Sequence, residues 1–210
     1  MSAPAHLILF TRYPRPGMCK TRLIPALGAE GAANLQRRLT ERIAAQARRL
    51  QVEGLAHLTV HHDGGSAEEM TAWLGACEVR PQEGGDLGAR MAAALRQAFA
   101  SGAPRALLFG SDIPGLDGDG LRQALAALHE RPVVLGPSSD GGYYLVGLSA
   151  ACAEIALPLL FTDIAWSTAM VLATSEERLR RKGLAYTLLP QLADIDTPAD
   201  LNRARQAGLL

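Results

Sequence analysis

The apolar run Ala106-Leu107-Leu108-Phe109, followed at once by Gly-Ser-Asp-Ile-Pro-Gly-Leu at 110–116, leaves this chain few architectures to choose from. Four apolar residues in a row have no polar face, so the run reads as a strand buried on both sides, as strands are in parallel sheets covered by helices. The glycines and proline end the strand sharply and set Asp112 just past its carboxyl end. That edge is where open α/β sheets take their ligands.

The remaining segments fit the same plan. Ala5 to Thr11 predicts a first buried strand, entering the loop Arg12-Tyr13-Pro14-Arg15-Pro16-Gly17. A long helix follows, with Ala33, Leu35, Leu39, Ile43, Ala47 and Leu50 recurring at three- to four-residue spacing. Leu55 to His61 predicts a second strand, Ser66 the cap of a helix to about Leu74, and Glu78 to Pro81 a short third strand. Leu87 to Phe99 has a helical period closed by Ser101-Gly102, and Asp117 or Asp119 caps the helix carrying Leu121, Leu125 and Leu128. Pro132 to Leu135 and Tyr143 to Leu148 lie too close together for a helical crossover, so they pair antiparallel or offset. Ser167 or Thr168 starts a helix to Lys182-Gly183, Tyr186 to Leu189 is a further strand, and Asp196-Thr197-Pro198 begins a last helix. Strands alternating with helices predict a three-layer α/β/α, Rossmann-like fold on a mixed, mostly parallel sheet, with residues 1–210 as one domain.

Composition narrows the function. With 210 residues and 48% of them hydrophobic, the chain can bury a substantial core. Lys plus Arg equals Asp plus Glu at 21 each, so no global field attracts nucleic acid and any anion site is local. Cys19, Cys77 and Cys152 are odd in number and lack a C-x-x-C pattern, which argues against a disulfide framework or zinc knuckle and for a reducing cytoplasm. The Leu7-Ile8-Leu9-Phe10 run is too short for a signal peptide. Gly147, Glu154 and Pro158 interrupt the apolar window from Tyr143 to Phe161, so it reads as core rather than membrane span.

Three constellations carry candidate chemistry. The loop from Pro14 to Leu23 joins a strand to a helix and holds Arg15, Lys20 and Arg22, so its amides and cations suit a di- or triphosphate, or the cations are simply solvated. It is not a Walker loop. Asp112 and the late pair Asp194 and Asp196 each follow a predicted strand, and carboxylates from two strand ends suffice for Mg²⁺ completed by substrate phosphates. Each also has a structural reading: Asp112 and Asp194 as turn residues, Asp196 as a helix cap. In Pro137-Ser138-Ser139-Asp140-Gly141-Gly142-Tyr143-Tyr144 the glycines either make a tight turn or admit a ligand to the backbone, with Asp140 as base or acceptor group. Trp166 is either core or a stacking wall. His61-His62-Asp63 is a strand end, because adjacent histidines face opposite ways.

In order along the chain, P-x-P-G-x-x-K-T-R-L (14–23), D-L-G-x-R-M (86–91), G-S-D-I-P (110–114), D-G-G-Y-Y-L (140–145), W-S-T (166–168) and D-I-D-T-P-x-D-L (194–201) together resemble a bacterial glycosyltransferase-like family. That family lies in the nucleotide-diphospho-sugar transferase (GT-A-like) superfamily. More distantly, the chain resembles guanylyltransferases that activate phospholactate or phosphoenolpyruvate. The resemblance implies a nucleotide donor, NDP-sugar or NTP, in the N-terminal half and a small acceptor in the C-terminal half, with Mg²⁺ or Mn²⁺. By the same resemblance, Asp112, Asp194 and Asp196 hold the metal, while Arg12, Gly17, Lys20, Arg22, Gly85, Leu87, Arg90 and Ser111 border the donor. Asp140, Gly141, Gly142, Tyr143, Trp166 and Ser167 border the acceptor, and Asp112, Asp140 and Lys20 are the catalytic candidates. Two positions depart from the pattern: Ala89 stands where the family commonly has Glu, and Asp112-Ile113-Pro114 gives one carboxylate where many sugar transferases have D-x-D. Glycosyl transfer is the leading expectation, nucleotidyl transfer the runner-up, and a nucleotide-binding protein without turnover the rival from another class.

Overall fold

The structure is a computed structural model and describes residues 3–210. Seven strands form one sheet: β1 (Ala5–Arg12), β2 (Ala56–Asp63), β3 (Glu78–Pro81), β4 (Arg105–Gly110), β5 (Val133–Pro137), β6 (Tyr143–Ser149) and β7 (Tyr186–Leu188). Their spatial order is β3-β2-β1-β4-β6-β5-β7, and only β6 runs antiparallel to its neighbours. The five residues between β5 and β6 leave no room for a crossover, so β6 turns back and wedges between β4 and β5. This is the three-layer, mixed, mostly parallel fold that the alternation of strands and helices predicts.

The helices are α1 (Ile24–Val52), α2 (Ala67–Leu74), α3 (Leu87–Ala100), α4 (Gly118–Glu130), α5 (Ala153–Phe161), α6 (Val171–Lys182) and α7 (Pro198–Gln206). Successive residues of a strand face opposite sides, and here both sides are apolar. Leu7, Leu9, Leu58, Leu107 and Phe109 pack under α1, α2 and α4, whereas Ile8, Phe10, Ala106, Leu108 and Val146 pack under α3, α5 and α6. A smaller cluster of Leu23, Leu35, Leu39, Ile195 and Leu201 clamps the last helix to the first.

Local differences from the sequence reading have physical causes. The apolar window from Tyr143 to Phe161 divides into strand β6 and helix α5. Helix α6 begins at Val171, after the predicted Ser167 or Thr168, because Ser167 takes a left-handed φ of 62°. The 3-10 turn of Thr21–Leu23 enters α1, which breaks at Gly28, where φ is 69° and ψ 167°. The cap of α7 is Thr197: its side chain accepts from the Asp200 amide, and Asp200 accepts from the amides of Asp196 and Thr197.

Candidate functional site

All six parallel strands end on one edge of the sheet, and the loops leaving them surround a cleft of about 550 Å³. The chain passes from β1 through α1 to β2 on one side, then returns from β3 through α3 to β4 on the other. The crevice between the ends of β1 and β4 is therefore the topological switch point, where doubly wound sheets open toward a ligand.

Lys20 and Asp112 meet at that crevice. Lys20 Nζ donates to the carbonyl of Ile195 at 2.6 Å and lies 3.0 Å from Asp112 Oδ2 and 3.6 Å from Asp196 Oδ1. Its side chain is only 2% exposed, against 38% for Asp112 and 47% for Asp196. Arg22, largely solvated, faces the other oxygen of Asp196 at 3.6 Å. The backbone supports this cluster, since the Ile195 amide donates to the Asp112 carbonyl at 3.1 Å. Because Thr197 serves as the helix cap, the Asp196 carboxylate is left to face the cations.

A buried polar network holds the end of β4. Gln36 of α1 donates to Thr11, Thr40 and Ser111 hydroxyls at 3.0 to 3.2 Å, and Ser111 in turn donates to Asp112 Oδ1 at 3.2 Å. Neutral hydroxyls and an amide satisfy one another there without burying an unpaired charge.

The two sides of the cleft differ in charge. On one, Arg12 and Arg90 flank Asp63 at 3.1 and 3.8 Å and Leu87 also lines the cleft, while Arg22 stands at Asp196. On the other stand Asp140, Asp194, Gly142, Tyr143, Tyr144, Trp166, Ser167 and Thr168, with no Lys or Arg among the lining residues from 138 to 196. Burial, with Asp140 and Asp196 nearby, pushes the Asp194 carboxyl above its ordinary range. Burial also raises Tyr143, whose hydroxyl donates to the Leu160 carbonyl, and pushes Tyr144 up to about 12, so both rings stay neutral near pH 7. Asp140 Oδ1 accepts from the Gly142 amide at 2.9 Å, fixing the turn. Trp166 stacks on Phe161 and meets Tyr143 edge-on.

Of the residues singled out in the sequence, Arg12, Lys20, Arg22, Leu87, Arg90, Ser111, Asp112, Asp140, Gly142, Tyr143, Trp166, Ser167, Asp194 and Asp196 all line this cleft. Gly17, Gly85 and Gly141 do not. Gly17 and Gly85 are exposed residues with positive φ, and Gly141 (φ 88°) is pressed against the Ala169 backbone, where a Cβ would meet the carbonyl oxygen at 2.3 Å. Sequence reasoning missed Thr11, Gln36, Asp63 and Gln82, which also line it. Gln36 and Thr40 were detectable as polar residues four apart on the apolar face of a helix.

Among the described residues no three His, Cys, Asp or Glu side chains converge as a ready-made metal centre. Two carboxylates do converge on one cation, Lys20, and that donor set suits a hard divalent ion whose other ligands are water and phosphate oxygens.

Residues 35–168 match a family whose description reads "Uncharacterized protein conserved in bacteria (DUF2064)". None of the curated proteins matches the chain in sequence. A solved structure from Desulfovibrio desulfuricans G20, provisionally named a nucleotide-diphospho-sugar transferase, is 35% identical, with a TM-score of 0.90 over 99% of this chain and 88% of its own. The fold is also that of a CMP:2-keto-3-deoxy-manno-octonic acid synthetase complexed with CTP, at 14% identity, TM-score 0.58 and 98% of both chains. Rv0371C of Mycobacterium tuberculosis H37Rv, solved with manganese, has it too, at 18% identity, TM-score 0.58, 97% of this chain and 99% of its own.

Proposed function

The chain belongs to the bacterial DUF2064 family, and from that premise we propose that it is a divalent-metal-dependent transferase that moves a sugar from an NDP-sugar to a small, uncharged acceptor. The observation that carries this reading is the carboxylate pair of Asp112 and Asp196, gathered about a buried cation at the switch point, with Arg22 at its edge and Arg12 and Arg90 about Asp63. The name given to the 35% identical relative supports a nucleotide-sugar donor.

In this reading Arg12, Arg22 and Arg90 offset the charge of the donor phosphates. Asp112 and Asp196, with Asp194 beside them, would hold Mg²⁺ or Mn²⁺, which acts as a Lewis acid toward those phosphates. Asp140 accepts the acceptor hydroxyl's hydrogen bond and takes its proton, while Tyr143 and Trp166 form an apolar wall that limits water. No Lys or Arg stands among the lining residues of the 138–146 and 166–171 segments that carry Asp140, Tyr143 and Trp166, which favours a hydroxyl over a phosphate as the attacking group. Both halves of the cleft then work as one domain spanning 1–210, in a cytoplasm that keeps the three free thiols reduced. No described helix is long and apolar enough to cross a membrane.

The second reading, nucleotidyl transfer from an NTP, draws on the end-to-end likeness to a CTP-bound synthetase and on the lone carboxylate of the Asp112-Ile113-Pro114 segment. The products separate the two. With Mg²⁺ present, glycosyl transfer releases a nucleoside diphosphate and nucleotidyl transfer releases pyrophosphate, both readable by phosphorus NMR. Asp112→Asn should lower the rate by about 10² or more; an unchanged rate rejects the metal assignment. Donor binding without either product would identify a nucleotide-binding protein.

A further inference from the structure

We propose that Lys20 is a built-in counter-cation: in the ligand-free protein its ammonium holds the two metal-binding carboxylates together, and it yields that position only when donor phosphates draw it away. The inference rests on the metal-dependent reading of the cleft. Its basis is the position of Lys20 Nζ, 3.0 Å from Asp112 and 3.6 Å from Asp196, on a side chain 2% exposed. A third anchor, the Ile195 carbonyl at 2.6 Å, ties the ammonium to the segment that carries Asp196.

Without a cation between them, Asp112 and Asp196 would repel each other across a partly desolvated gap. A divalent ion bound by the same pair would stand close to the ammonium, and the two cations would repel each other strongly at that distance. One must leave before the other enters. Lysine is suited to leaving, because it is a compact charge on a flexible four-carbon stem, whereas a guanidinium would stay locked in its planar fork. Metal alone should therefore bind weakly, and metal with donor should bind with positive coupling, since the phosphates supply a new partner for Lys20.

The chain contains only two lysines, Lys20 and Lys182, and Lys182 is exposed on α6. In ¹⁵N-lysine-labelled wild type, saturating Mg²⁺ with inorganic pyrophosphate should shift the Lys20 ammonium resonance and leave Lys182 in place as an internal reference. In parallel, Mn²⁺ binding without nucleotide is followed by electron paramagnetic resonance. Lys20→Met keeps the stem and deletes the charge, and should tighten Mn²⁺ by at least about tenfold; adding Asp112→Asn should abolish that gain. Lys20→Gln replaces it should the methionine variant fail to fold. Equal or weaker Mn²⁺ binding in the variant, or an unmoved Lys20 resonance, overturns the counter-cation while leaving the metal site standing. Retention of no Mn²⁺ by wild type or variant, with inorganic pyrophosphate present as well as without it, overturns the metal reading and this inference with it.

Discussion

Gln36 joins the first helix to the two strand ends that form the crevice, through one amide shared among Thr11, Thr40 and Ser111. Gln36→Leu keeps the bulk and removes the donor, and should cost about 1–2 kcal/mol in urea unfolding, because the hydroxyls partly pair with one another. His6 and His61 respond to acid. Burial lowers both to about 4, with His57 adding to the effect on His6 and Arg80 adding to that on His61, while Glu78 opposes it. Since the unfolded chain binds these protons near pH 6.5, the stability these two neutral rings contribute is full above that pH and declines as the pH falls toward 4. The urea midpoint should accordingly drop between pH 7.5 and 5, and His61→Gln should flatten that dependence. At this scale the sequence was legible where chemistry follows local context: Asp112 after its strand and the acidic pair before the last helix. Whether Asp196 or Thr197 caps the last helix was ambiguous, because both are acceptors just before Pro198 and only the hydrogen bonds of Asp200 decide between them. Lys20 as the partner of carboxylates more than 90 residues distant could not be read from spacing.

At the scale of elements, the start of α3 is held under the indole of Trp166. A Cβ at Gly88 would stand 2.6 Å from both Trp166 Nε1 and the Phe161 carbonyl oxygen, so the helix approaches only because that position has no side chain. Gly88→Ala should displace Trp166 into the cleft and raise the acceptor KM, with the tryptophan emission shifting to the red in a Trp73→Phe background; an unchanged spectrum and KM would remove this role. Helix starts were readable where a side-chain cap announced them, as at Ser66 and Asp117, whereas the last helix starts where the proline placed it but is capped by Thr197 rather than Asp196. The start of α6 was not: it has no side-chain cap, and the preceding loop is held from a distance by Arg178, which donates to the carbonyls of Leu159, Thr162 and Asp163.

For the molecule as a whole, the parallel plan follows from doubly apolar strands joined by helices, and the one reversed strand from a connection too short for a helix. The order of strands across the sheet was not legible, because it depends on which helix covers which face. A donor nucleotide with Mg²⁺ should raise the melting midpoint by mass action and slow hydrogen exchange in the loops after β1, β4 and β7, leaving the opposite ends of the strands unaffected; protection spread evenly over the sheet would argue against binding at the switch point. Those opposite ends are reached through Gly54, Gly75, Gly102 and Gly183, all exposed and all with a positive φ just past the preceding helix. That rim lies at the edge of the sheet opposite the cleft. The protein can therefore be tethered, extended or re-spliced at its far rim, and a bulky fusion there should leave turnover intact, whereas one residue inserted between Ser138 and Gly142 should abolish it.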